Sequence, residues 1–160
     1  MIFVTVGSQK FPFNRLLKSI DECINNGVIP PEVFAQTGVC TYVPQNFKYK
    51  AFLNRADYAL QLQKADMVIT HGGTGAIVGA LKQGKKVIAM PRLSKYGEHV
   101  DDHQVQLLEE FEKEGLVFVC SDAMTLGTAY SQAQQEKFVP YQSNNKFFIA
   151  DLDKYLSRND

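Results

Sequence analysis

The residues best suited to bind an anion lie in one glycine-rich stretch, Thr70-His71-Gly72-Gly73-Thr74-Gly75-Ala76-Ile77-Val78-Gly79. Gly72, Gly73 and Gly75 carry no β-carbon, so the backbone there can bend tightly or approach a ligand closely. Ala65-Asp66-Met67-Val68-Ile69 precedes the turn and reads as a buried parallel strand. Ala76, Ile77, Ala80 and Leu81 follow at helical spacing, with Thr74 as the expected N-cap. In a strand–turn–helix unit, the free N–H groups of the first helical turn face the end of the strand, where phosphate is the usual occupant. A tight turn without a ligand is the plainer reading of the same residues. A helix terminus favours an anion by roughly 0.3–1 kcal/mol per exposed charge, and a micromolar ligand needs about 8 kcal/mol. The turn would therefore orient a diphosphate, while base and sugar supply most of the binding. The dinucleotide fingerprint G-x-G-x-x-G fits poorly, because Gly73 to Val78 lacks its third glycine and the loop after the first strand has only Gly7. NAD is not expected.

A second group of polar residues follows. His99 and His103 are four apart, beside Glu98, Asp101 and Asp102. On one helix the two imidazoles would share a face, as metal ligands can, but no glutamate follows His99 as in H-E-x-x-H. Polar contacts to a ligand and a solvated helix start are the other readings, and Asp101 and Asp102 also suit a helix N-terminus. Gln104 is the better ligand contact, since its amide can pair with sugar hydroxyls as donor and acceptor. His71 could cover the glycine turn or simply fill it. Arg92 could meet phosphate, or Asp66 or Glu98 on the surface. Cys23, Cys40 and Cys120 have no base beside them, so a thiol nucleophile is not expected.

These residues need a scaffold, and alternating patterns supply one. Ile2 to Val6 is a strand and Gly7-Ser8-Gln9 a turn; Phe13, Leu16, Leu17, Ile20 and Ile24 then mark a helix over Asn14 to Asn25, stopped by Asn26-Gly27 and Pro30-Pro31. Glu32 to Thr37 reads as a strand, Tyr49 to Leu53 as a short third one, and Tyr58, Leu60, Leu62 and Ala65 as a helix. Val87 to Met90 is a buried strand ended by Pro91. A long polar loop over Arg92 to Asp101, a helix around Val105 to Phe111 and a strand at Val117 to Val119 come next. Asp122 or Thr125 can cap a further helix, and Phe147, Phe148, Ile149, Leu152, Tyr155 and Leu156 mark a terminal one that packs on this domain or docks a partner. The aromatic residues of Phe11-Pro12-Phe13 and Tyr42-Val43-Pro44 raise the same alternative. The expectation is one α/β domain over 1–160: a Rossmann-like open parallel sheet with helices on both faces and its crevice at the strand C-termini.

Composition narrows the partners. With 17 basic and 17 acidic residues the formal net charge is zero, which argues against nucleic acid. No apolar run reaches the roughly 18–20 residues of a membrane span. The N-terminus lacks the basic and small-residue features of a signal peptide. Three widely spaced cysteines suggest a reducing compartment, so a cytoplasmic location is expected.

Taken together, Ile2-Phe3-Val4-Thr5-Val6-Gly7, Pro12-Phe13-x-Arg15-Leu16, Ala65-Asp66-x-Val68-Ile69-x-His71-Gly72-Gly73-Thr74-Gly75, Met90-Pro91-Arg92 and Gly97-Glu98-His99-Val100-Asp101-Asp102-His103-Gln104 resemble the PssE/EpsF-type subunits of capsule and exopolysaccharide glycosyltransferases. That group is similar to the C-terminal half of MurG, in glycosyltransferase family 28, and to the soluble subunit of the two-part N-acetylglucosaminyltransferase of dolichol-linked glycan assembly. The resemblance implies the donor-binding, C-terminal half of a GT-B enzyme. The substrate would be a UDP-sugar, with no cofactor and no metal, and transfer would invert configuration onto a lipid-linked acceptor. The acceptor half would be a membrane-associated partner of PssD/EpsE type that recruits this chain to the inner face of the cell membrane; in isolation the chain could form a homo-oligomer.

Carried over by position, Gly73, Thr74 and Gly75 would lie against the diphosphate, Gln104 against the sugar or ribose, and Gly7 and Ser8 along the cleft. His71, Gly72, Arg92 and His103 complete the expected substrate site. His99 and Asp101 are the local candidates for a general base, which is otherwise expected from the partner. Gly79 departs from the pattern, standing where many relatives carry an acidic residue for the ribose hydroxyls. A non-catalytic UDP-sugar-binding or regulatory subunit, or an epimerase-like fragment, are the rival readings.

Overall fold

A computed structural model of the chain describes residues 1–142. The terminal helix expected around 147–156 lies outside the described residues. Six strands form one sheet: β1 (Ile2–Thr5), β2 (Val33–Gln36), β3 (Lys48–Lys50), β4 (Met67–Thr70), β5 (Lys86–Ala89) and β6 (Phe118–Val119). Between them run α1 (Asn14–Asn25), α2 (Arg55–Lys64), α3 (Thr74–Lys82) and α4 (His103–Lys113), and α5 (Leu126–Gln135) follows β6. The strand order is β3-β2-β1-β4-β5-β6, and every pairing is parallel.

The period-2 alternation of the strands sorts their side chains onto two cores. Ile2, Val4, Met67, Ile69 and Ile88 face one side, where Leu16, Leu17 and Ile20 of α1 and Leu126, Ala129 and Ala133 of α5 cover them. Phe3, Val68, Val87 and Ala89 face the other, under Leu62 of α2, Ile77, Ala80 and Leu81 of α3, and Leu107, Leu108 and Phe111 of α4. Both faces of the sheet are thus sealed, as an all-parallel sheet requires.

This topology locates the crevice. The chain starts in the middle of the sheet, builds outward through β2 and β3, and then crosses to β4 on the other side of β1. The loops leaving β1 and β4 diverge over opposite faces, so the space between them opens at a topological switch point. Gly7-Ser8-Gln9 and His71-Gly72-Gly73 are those two loops.

One expectation needs correction, and two alternatives are decided. The third strand is Lys48–Lys50, not Tyr49 to Leu53; it is an edge strand with all three residues exposed, so no apolar pattern marks it. Phe13 is fully buried and belongs to the core, not to an interface. Of the two candidate caps for α5, Thr125 serves, its Oγ1 accepting the Thr128 N–H at 3.2 Å, while Asp122 is paired with Lys95 and accepts from the Tyr96 hydroxyl.

Candidate functional site

The turn after β4 is built around an imidazole. Strand β4 delivers His71 into the interior at 5% exposure, and the glycines beside it leave the room it needs. A β-carbon on Gly7 would overlap His71 Nε2, and one on Gly73 would overlap His71 Cε1. Gly7 also has φ +76°, a conformation that L side chains rarely adopt. A β-carbon on Gly72 would come 2.7 Å from Gln104 Cβ. The first two glycines of the turn are therefore demanded by packing. Gly75 is not, since a β-carbon there would meet nothing within 4 Å.

Hydrogen bonds fix the protonation state of His71. Gln104 is buried on α4, and its Oε1 accepts from the backbone N–H of Gly72 (3.1 Å) and of Arg92 (2.9 Å). Two donors can face only the amide oxygen, so the amide nitrogen is the group 3.4 Å from His71 Nδ1. Nδ1 must then be the acceptor, and the imidazole carries its proton on Nε2, on the side of Gly7. Burial, then the Arg92 charge and His99, push the pKa of His71 down to about 3. His71 is thus a neutral N–H donor at neutral pH.

The first turn of α3 presents open donors. Gly73, not Thr74, occupies the N-cap position, and no side chain among the described residues caps the helix. The turn ends one residue earlier than its sequence suggests, which makes Thr74 the first helical residue. The earliest intrahelical bond runs from Ile77 N–H to Gly73 C=O, 3.2 Å, so the N–H groups of Thr74, Gly75 and Ala76 have no intrahelical acceptor. Gly75 and Ala76 border a cleft of about 320 Å³, lined also by Thr5, Gly7, Ser8, Gln9, Gln36, Tyr58, His71 and Gly73. A larger hollow, about 830 Å³, lies between α1 and α5, but the helix terminus in its wall is the one Thr125 already caps.

The remaining candidates sit beside or behind this cleft. Arg92 is not a surface cation: it is fully buried. Its Nη1 donates to Phe11 O (2.7 Å) and Glu98 O (3.2 Å), and its Nη2 to Val6 O (2.6 Å). Neither Asp66 nor the Glu98 carboxylate is its partner. Asp66 pairs with the N-terminal amine, and buried Glu98 takes Arg15 through both oxygens and the Leu93 N–H. Arg92 therefore ties the β1–α1 loop to the β5–α4 loop. Gln104, expected against a sugar, spends its oxygen on backbone and its nitrogen on His71, so it braces the turn.

His99 and His103 do not share a helix, because α4 begins at His103. Asp101 links them instead, Oδ1 lying 3.2 Å from His99 Nδ1 and Oδ2 lying 3.4 Å from His103 Nε2, while Oδ1 also accepts the His103 N–H at 3.1 Å. Burial pushes the thiols of Cys23, Cys40 and Cys120 up, the last to about 11, the opposite of nucleophile activation.

Residues 1–156 match the family model described as the glycosyltransferase family 28 C-terminal domain. The chain belongs to that family. The human protein named UDP-N-acetylglucosamine transferase subunit ALG13 is 27% identical over 139 residues, covering 75% of this chain and 11% of that protein. The Saccharomyces cerevisiae protein of the same name is 31% identical over 114 residues, covering 66% and 54%. This family 28 domain thus spans about a tenth of the human relative and about half of the yeast one. Among solved structures, an NMR structure of ALG13 superposes with a TM-score of 0.61 at 22% identity, covering 91% of this chain and 92% of the other. MurG of Acinetobacter baumannii gives 0.57 at 19% identity, covering 84% and 40%. The fold is that of the C-terminal half of a GT-B glycosyltransferase.

The neutral state of His71 has a measurable consequence. Unfolded, its imidazole takes a proton near the ordinary value of 6.5; folded, it does so only near 3. Between these values the unfolded state binds more protons, so the contribution of His71 is intact above pH 6.5 and is lost as pH falls. In urea unfolding at a series of pH values, His71→Gln is expected to be less stable than the parent at pH 7. The gap should narrow by roughly 1 kcal/mol per pH unit between pH 6 and 5. Parallel pH profiles of the two chains would show that His71 is not buried neutral.

Proposed function

We propose that this family 28 domain is the donor-binding catalytic subunit of a two-part inverting glycosyltransferase, of the PssE/EpsF type. It would hold a UDP-sugar while a membrane-associated partner of PssD/EpsE type supplies the lipid-linked acceptor in capsule or exopolysaccharide synthesis. The observation that carries this reading is the uncapped N-terminus of α3 with Gly75 beside it. A glycine within a helix is destabilising by up to about 1 kcal/mol relative to alanine, and among the described residues no atom needs the space at Gly75. A ligand passing close to the backbone does. The printed names of the human and yeast relatives, subunits of a UDP-N-acetylglucosamine transferase, favour a UDP-sugar as that ligand and a second subunit as its complement.

The chemistry follows from charge. As the acceptor hydroxyl attacks the anomeric carbon, negative charge grows on the departing diphosphate. The N–H groups of Thr74, Gly75 and Ala76 and the Nε2–H of His71 are fixed before the reaction starts, which is the efficient form of electrostatic stabilisation. Gly7 and Ser8 form the opposite lip. The acceptor proton goes to a base from the partner, since the Asp101 carboxylate already accepts the His103 N–H and His99 Nδ1 accepts the Asp101 N–H. The transfer uses no metal or cofactor, and the partner brings the cytoplasmic chain to the inner face of the membrane.

Titration of the chain with UDP, followed by amide NMR, tests this. The largest shifts are expected at Thr74, Gly75 and Ala76. Gly79→Glu supplies the carboxylate that many relatives place for the ribose. Its β-carbon enters open space, so the variant should gain up to about 1 kcal/mol of stability and bind UDP several-fold tighter. Shifts confined to another surface would reject the donor-site assignment.

A further inference from the structure

Gln36 lines the cleft without a role assigned above, yet it is among the most constrained polar side chains there. It ends β2, is 7% exposed and lines the cleft. Its Oε1 accepts the Leu53 N–H at 2.9 Å. Leu53 can only donate there, so the orientation of the amide is determined: oxygen toward Leu53, nitrogen away from it. Among the described residues no hydrogen bond uses Nε2, and Nε2 is not among the buried atoms left without a partner. The amide nitrogen therefore opens onto the cleft. A primary amide fixed this way offers N–H donors and no acceptor.

The sheet register places this donor relative to the anion cradle. Thr5 pairs with Gln36 on one side and with Thr70 on the other, so Gln36 stands two strand spacings, about 10 Å, from the strand that feeds the glycine turn. That separation matches the reach of a ribose and a pyrimidine from a diphosphate held at α3. We infer that Gln36 is a specificity-determining residue that donates its amide N–H to the O4 carbonyl of the base, the position at which the two pyrimidines differ. It selects a keto-pyrimidine, uracil, over an amino-pyrimidine, cytosine, whose exocyclic amine would set donor against donor. This inference rests on the donor-site reading and adds to it the group that reads the base.

The test is calorimetric titration of the full chain at pH 8 with UDP, CDP and inorganic pyrophosphate, before and after Gln36→Glu. The glutamate keeps an oxygen for Leu53 and turns the cleft-facing donor into an acceptor. The unmodified chain should bind UDP at least tenfold tighter than CDP. In Gln36→Glu, UDP should weaken at least tenfold and the preference should collapse or invert, while pyrophosphate stays within twofold. Equal affinities of the unmodified chain for UDP and CDP overturn the inference, whatever the variant's folding. So does an unchanged UDP-to-CDP ratio in the variant, or a parallel loss of pyrophosphate, which would mark Gln36 as structural only. A chain that takes up none of the three ligands overturns the donor-site reading, and this inference with it.

Discussion

Gly73→Ala is expected to abolish UDP binding, with an affinity loss of 100-fold or more, and to destabilise the domain by about 2–3 kcal/mol, in the range seen for overpacked cores. The added carbon would overlap His71 Cε1 and lie 3.1 Å from Nδ1. The imidazole has no retreat. Its Nδ1 is held by Gln104, the Gln104 oxygen is held by two backbone donors, and Gly7 closes the other side. Either the ring leaves its place, taking the Nε2–H with it, or the turn moves and α3 no longer aims its donors into the cleft. Gly75→Ala is the matched control: it meets nothing within 4 Å, so it should hold or slightly raise the melting temperature while obstructing the ligand. Truncating the ring in the Gly73→Ala background should recover stability but not binding, as coupling between touching residues requires. A Gly73→Ala chain that melts and binds like the parent would refute this account of the turn.

The sequence made some of this legible and hid the rest for physical reasons. Helix α1 is bounded by Asn14 and Asn25 as the spacing of Leu16, Leu17 and Ile20 indicates, because one apolar stripe on a polar helix leaves few alternatives. The five strands with buried or half-buried residues appear as short apolar runs. Lys48-Tyr49-Lys50 does not, because an exposed edge strand has no apolar face to display. The glycine turn stood out, but the division of labour within it did not. That Gly72 and Gly73 make room for Gln104 and His71, while Gly75 stays open, depends on one side chain arriving from α4 and another turning inward at the end of β4. Gln104 looked like a ligand contact because its amide is bifunctional, and that same property lets it brace two backbone donors. A glutamine at a strand end such as Gln36 carries no local signal, and only the bond to Leu53 orients it. The sequence suggests a phosphate contact or a surface ion pair for Arg92 because buried arginines are rare. Three backbone carbonyls converging from two loops are not visible along a chain.

Arg92→Lys is expected to destabilise the domain by about 3 kcal/mol, lowering the melting temperature by roughly 10 °C for a chain of this size. The guanidinium spans Val6 O, Phe11 O and Glu98 O and lies over the Phe13 ring at 5.1 Å. A lysine ammonium is a single point and cannot reach both sides of that span, so buried carbonyls lose their donor with no water to replace it. Among the described residues the Nε has no hydrogen-bond partner, which indicates that the side chain is held by its two terminal nitrogens rather than by a fully satisfied network. The loosened element should be the β1–α1 loop, so hydrogen exchange is expected to quicken first at Ser8, Gln9 and Lys10, with UDP affinity falling as that lip of the cleft loses its position. The phosphate role open to Arg92 from sequence and the clamp seen in the structure then separate cleanly. A phosphate ligand would lose affinity while the melting temperature held, whereas a clamp loses stability first and affinity through it. An Arg92→Lys chain that melts within 2 °C of the parent yet fails to bind UDP would return Arg92 to the phosphate and remove the clamp from the structural account.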